Sequence, residues 1–159
     1  MQIVLFEPEI PPNTGNIARL CAATGTPLNL IEPLGFRLEN RYLKRAGLDY
    51  WPNVSMRVFP NWPAFAERPE RDENERWVMV SSKKRPQSLP LQAFPFTASD
   101  CLIFGPETRG LPDWLLAQSP KHLRVPMLPG GVRSLNLSTC AGIVLYQALI
   151  CLGIPSQWC

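Results

Sequence analysis

Polar side chains able to bind a ligand or move a proton collect in three separated stretches: Pro11-Pro-Asn-Thr-Gly-Asn-Ile-Ala-Arg19, Phe104-Gly-Pro-Glu-Thr-Arg-Gly-Leu-Pro112 and Arg133-Ser-Leu-Asn-Leu-Ser138. Each stands beside an apolar run. Gly and Pro fix tight turns at the ends of apolar elements and leave the Asn, Ser, Arg and Glu side chains on loops, where binding and catalysis concentrate. Three such loops in 159 residues predict one composite site. The first loop, Glu7 to Gly15, carries neither GxGxxG nor GxxxxGKS/T, so it offers no dinucleotide cradle and no P-loop. What remains is a ligand held by apolar contact and backbone hydrogen bonds, which suits an adenosine with a thioether-like tail. Gly105 follows the apolar run Cys101 to Phe104, and a missing Cβ there lets the backbone approach a ligand. The segment Val125 to Ser134 adds apolar side chains for an adenine face and main-chain groups outside any ladder. Glu107 and Arg109 can pair with Asn13 or Arg19 to hold the loops in register, and bracing is the first role expected of Glu107. Asn136 is placed to cap the helix that follows it.

These loops need elements to position them. Gln2 to Phe6 is a β-rich run, and Asn13 or Thr14 is expected to cap a helix ending at Thr24-Gly25. Leu28 to Ile31 predicts a second strand, Glu39 to Ala46 a short helix stopped by Gly47, and Val54 to Phe59 a third strand. Asn61 to Glu67 predicts a helical turn, with the charged loop Glu67 to Arg76 expected in solvent. Trp77 to Val80 and Cys101 to Phe104 are continuous apolar strands, as expected where both faces of a parallel sheet are covered. Pro112 to Gln118 predicts a helix, Leu123 to Val125 a strand, and Leu135 to Leu152 a long terminal helix. Strands alternating with helices make the fold class α/β.

Composition narrows the setting. A chain of 159 residues with 45% hydrophobic content predicts a single domain over residues 1–159. Sixteen basic against thirteen acidic residues give a net charge of +3, which suits a polyanionic partner but also many enzymes of neutral substrates. The cysteines at 21, 101, 140, 151 and 159 are odd in number and form no CxxC pair, so they read as reduced core residues of a cytoplasmic protein, with no metal site. The lone His122 predicts a surface role. From Ser134 to Cys159 there is no charge, yet Asn136, Ser138, Thr139 and Gln147 interrupt the run and Pro155 closes it. A helix apolar on nearly all sides is then expected in a core or a subunit interface, not in a membrane. The run Ile3 to Phe6 meets Glu7 and Glu9 at once, so no targeting leader is expected.

Over nearly its whole length the chain resembles the SPOUT (trefoil-knot) RNA methyltransferases. Glu7-Pro-Glu-Ile-Pro-Pro-Asn-Thr-Gly-Asn16, Arg45-Ala-Gly-Leu-Asp-Tyr50 and Phe104 to Pro112 are similar to segments of the tRNA (cytidine/uridine-34)-2′-O-methyltransferase subgroup. The resemblance implies a mostly parallel sheet flanked by helices, a deep carboxy-terminal trefoil knot, and a homodimer acting on the tRNA anticodon stem-loop with S-adenosylmethionine. It implies cofactor contacts at Val80, Gly105, Val125 and Ser134, with Met127 and Leu135 as neighbours. It puts Arg19 in the active site, with Asn13, Glu107 and Asn136 orienting the cofactor loops or the ribose. Since a guanidinium stays protonated, Arg19 is expected to contact the phosphate beside the target ribose, which can itself accept the proton.

An RNA substrate needs phosphate contacts, and two basic groups offer them: Arg37, Arg41, Lys44 and Arg45, then Lys83, Lys84 and Arg85. Arg109 can bind RNA as well as brace, and Tyr146 can stack on a base or fill an interface. Two other functions share these motifs: a sister 2′-O-methyltransferase of another tRNA or rRNA nucleotide, and an RNA-binding protein that keeps the fold without catalysis.

Overall fold

The computed structural model describes residues 1–38, 54–83 and 85–158. Within them lies a sheet built from β1 (Gln2–Phe6), β2 (Leu28–Ile31), β3 (Met56–Phe59), β4 (Arg76–Val80), β5 (Ser88–Pro90), β6 (Asp100–Phe104) and β7 (His122–Arg124). It has seven strands in the order β3-β2-β1-β6-β4-β7-β5, and every pairing is parallel. The α-helices among the described residues are α1 (Pro11–Thr24), α2 (Trp62–Ala66), α3 (Asp113–Leu116) and α4 (Leu137–Cys151).

Alternate residues of the central strands feed two cores. Ile3, Leu5, Val78, Val80, Leu102 and Phe104 pack with Ile17 and Cys21 of α1 and Val144, Leu145 and Leu149 of α4. Val4, Phe6, Met79, Cys101 and Ile103 face the other way, onto Trp62 and Phe65 of α2 and Leu115 and Leu116 of α3. Both faces are therefore covered, which is why these strands read as unbroken apolar runs.

Several sequence expectations are corrected. Ile10, not Asn13 or Thr14, is the N-cap of α1, because Pro11 and Pro12 fill the first helical positions, where a fixed φ and a missing N–H are tolerated. Asn13 thus lies inside the first turn. Ser88–Pro90 pairs as an edge strand that no alternation announced; an edge tolerates its proline. His122 is buried, at 2% exposure, because β7 runs inside the sheet; its Nε2 lies 2.8 Å from the Ser119 carbonyl and 3.1 Å from that of Leu116. The loop expected in solvent buries an ion pair between Arg68 and Glu75, both side chains at 4% exposure. Of the cysteines, Cys21 and Cys101 are buried and Cys140 half-buried, but Cys151 is exposed on α4 instead of joining the core. The expected helix at 39–46, with Arg41, Lys44 and Arg45, lies outside the described residues, as do Lys84 and Cys159.

The strand order fixes where a ligand can sit. From β1 the chain moves to β2 on one side, while from β6, the other neighbour of β1, it moves towards β7 on the opposite side. Where the winding reverses, the loops after the two strands splay apart and leave a crevice at their carboxyl ends, the usual ligand position in open parallel sheets. The loops Glu7–Ile10 and Gly105–Pro112 flank that crevice.

Candidate active site

A cavity of about 400 Å³ opens at this switch point, within the range of nucleoside-sized ligands. Its walls come from the ends of β4 and β6, the loop after β7, and the starts of α1 and α4, so residues more than a hundred positions apart meet there.

Glu107 reaches back across the crevice. Its Oε2 accepts from the Glu9 N–H at 2.8 Å, and its Oε1 from the Ile10 N–H at 3.2 Å and from Asn13 Nδ2 at 3.0 Å. Asn13 is 5% exposed, and its Oδ1 accepts from Asn136 Nδ2 at 2.9 Å. Asn136 Oδ1 caps α4, accepting from the Ser138 N–H at 2.9 Å and the Thr139 N–H at 3.3 Å. The donors all point one way: from the α4 amides to Asn136, on to Asn13, and on to the Glu107 carboxylate. Each bond polarises the next, and both amide orientations follow from the chain's direction.

A second set of contacts joins the same two loops. The Glu9 carboxylate accepts from the Thr108 N–H at 2.9 Å and the Thr108 hydroxyl at 2.8 Å. The backbone bond, helped by the hydroxyl and the Arg109 charge, holds the Glu9 carboxyl below its usual range. Arg109 pairs with Glu7, whose φ of 49° is unusual for a residue with a Cβ and turns the chain sharply off β1.

Gly105 lines the cavity and has a further reason to lack a side chain. A Cβ there would fall 2.3 Å from the Leu111 nitrogen and 2.5 Å from the Gly110 carbonyl carbon, so its own loop also approaches it closely. The missing side chain lets that loop fold back on the strand end, and Gly105 to Leu111 all line the cavity. Cys140, on the first turn of α4, also lines the cavity, and burial pushes its thiol up to about 11.

Most residues singled out in the sequence converge. Val80, Gly105, Val125, Met127, Ser134 and Leu135 all line the cavity, and so do Asn13, Glu107, Arg109 and Asn136. Arg19 lies on the exposed side of α1, outside the lining. Tyr146 is 44% exposed on α4 and is not brought to the cavity. Glu9, Thr108, Ser81 and Ser82 carry no role in the sequence analysis, although Glu9 and Thr108 stand inside the quoted motifs. Lys83, expected there as a phosphate contact, is brought to the cavity wall.

Comparison with known proteins gives a consistent set of likenesses. Residues 1–146 match the family model described as the SpoU rRNA Methylase family. A protein of Methylovorus glucosotrophus named tRNA (cytidine(34)-2'-O)-methyltransferase is 49% identical over 148 residues, 92% of each chain. One of the same name from Escherichia coli is 43% identical over 157 residues, covering 98% of this chain and 96% of the relative. A solved structure concerned with 2-OH methylation of C/U34 on tRNA superposes with a TM-score of 0.87 at 46% identity, covering 96% of this chain and 95% of its own. A SpoU methyltransferase of Streptomyces viridochromogenes in complex with AdoMet shares the fold, with a TM-score of 0.82 at 20% identity over 94% of this chain and 57% of that one.

Proposed function

Because this chain belongs to the SpoU rRNA Methylase family, we propose that it transfers a methyl group from S-adenosylmethionine to the ribose 2′-hydroxyl of nucleotide 34 in tRNA. The observation that carries this reading is the joining of three distant loops, through Glu107, Asn13 and Asn136, around one cavity at the switch point. The cavity fits the cofactor's chemistry: Val80, Val125, Met127 and Leu135 offer apolar surface to an adenine, and the loop backbone offers hydrogen bonds without any phosphate cradle.

When bound, S-adenosylmethionine supplies a methyl carbon on a sulfonium that leaves without an acid. The protein's task is then to align the hydroxyl and to help its proton away. The Glu107–Asn13–Asn136 relay fixes the walls within which alignment occurs. Arg19, outside the lining, serves the approaching RNA by contacting the phosphate next to the target ribose, and that phosphate takes the proton. The protein acts as a homodimer in the cytoplasm, with Ile143, Tyr146 and Ile150, exposed along one face of the uncharged α4, in the subunit contact. The threaded carboxy-terminal knot belongs to the same reading.

Incubation with labelled S-adenosylmethionine and undermodified tRNA, followed by mapping of the product, tests it. Label on the ribose of nucleotide 34 is expected. Label elsewhere, or on a base, overturns the assignment.

A further inference from the structure

One aromatic side chain, outside the cavity lining, keeps about half of its surface in water. Trp114, on the short helix α3, is 52% exposed, whereas large apolar surface is normally withdrawn. Its ring is nonetheless held in place: it makes a T-shaped contact with the buried Phe6, centroids 5.8 Å apart at 75°. The neighbouring Asp113, its side chain 76% exposed, gathers two cations from the loop after β4, Lys83 at 3.5 Å and Arg85. Lys83 also lines the cavity, so the Asp113 ion pair links the start of α3, which carries Trp114, to the cavity wall.

We propose that Trp114, Lys83 and Arg85 form a docking patch for single-stranded RNA, in which Trp114 stacks on an unpaired base next to the target nucleotide while the two cations take the flanking phosphates. This rests on the function proposed above and names the part of the surface that reads its substrate. Unpaired nucleotides are held by this combination, a fixed aromatic face with basic groups tracking the backbone. A protein partner would instead call for an apolar surround, and here the residue preceding Trp114 in the chain, Asp113, holds Lys83 and Arg85. Asp113 keeps the cations arranged in the free protein. Because both ion pairs are open to water they are weak, and a phosphate replaces the carboxylate readily.

The test compares native protein with Trp114→Ala, Trp114→Phe, Arg85→Gln and Asp113→Asn, using an unmodified anticodon stem-loop RNA as the probe. Trp114→Ala is expected to weaken stem-loop binding about tenfold or more and to raise KM for RNA, with kcat at saturating RNA and S-adenosylmethionine affinity unchanged. Trp114→Phe recovers most of the loss. Arg85→Gln flattens the dependence of affinity on salt by about one counterion, and Asp113→Asn tightens binding. Should Trp114→Ala not fold, the tryptophan fluorescence quenched by RNA in native protein but not in Trp114→Phe decides the matter. Unchanged stem-loop affinity in Trp114→Ala, no difference in quenching, or a loss confined to self-association overturns the patch. If native protein methylates tRNA and Trp114→Ala does so identically, the patch alone fails. If native protein methylates no tRNA yet binds stem-loop through Trp114, the methyl-transfer reading alone fails.

Discussion

At Glu107, two main-chain amides and the Asn13 amide already point at one carboxylate. Glutamine keeps the shape but turns one acceptor oxygen into a donor facing donors, which leaves part-buried groups unsatisfied at about 1–3 kcal/mol. Glu107→Gln is therefore expected to lower Tm and weaken S-adenosylmethionine binding together; native affinity in a destabilised variant, measured by calorimetry, would detach this residue from the cavity. Arg19→Ala separates the other way, losing turnover while keeping cofactor affinity, since the guanidinium stands outside the lining. Joint loss of both would put Arg19 inside it. Glu9 carries a pH signature. Its carboxyl titrates below 4.5 in the folded state, so its contribution is present above that pH and is lost as pH falls through the lower folded value. Glu9→Gln should accordingly show a shallower fall of stability in acid, and identical acid limbs would contradict the Thr108 contact.

Elements differ in how openly the sequence announces them, and the difference is physical. β1, β2, β4 and β6 are visible because a strand covered on both faces must be apolar throughout. The site loops are visible because turns at strand ends demand Gly and Pro. β5 stays hidden: three residues at a sheet edge bury too little to leave a pattern. The cap of α1 is misplaced because a polar residue inside a first turn looks like a cap, and only the fold shows Asn13 spending its amide on Glu107 instead. Likewise a run of charges looks solvated until Glu75 is seen to accept from Arg68, from Gln2 Nε2 at 2.6 Å and from Trp77 Nε1 at 2.7 Å beneath the sheet. Removing one member of a buried pair strands the other's charge. Glu75→Ala should cost about 3–5 kcal/mol in a urea melt, and an unmoved midpoint would show that the pair is open to water.

For the molecule as a whole, burial of thiols predicts how stability and reactivity vary with pH. Burial pushes Cys21 up to about 12 and Cys140 up to about 11, while their unfolded counterparts ionise near 9. The folded state thus holds protons that the unfolded chain releases, and stability declines as pH rises past 9. At pH 8, iodoacetamide should spare both residues until urea is added; rapid labelling of native protein, read by mass spectrometry, would show that these positions open. Sedimentation at twice the chain mass, reverting to a single chain in Ile150→Glu, is the expected signature of the α4 contact, and an unchanged assembly would assign the exposed face elsewhere. The position of β6 has one more consequence. It sits between β1 and β4 yet is made after both. As the polypeptide leaves the ribosome from its amino end, β1, β2 and β3 can pair with one another, but β4 lacks both of its neighbours until β6 and β7 follow, and the slot between β1 and β4 stays empty. Gly105 and Glu107 arrive with the strand that fills that slot, so a nascent chain has no grip on a nucleoside until its architecture is nearly complete, and a truncated product is not a weaker enzyme but an inert one.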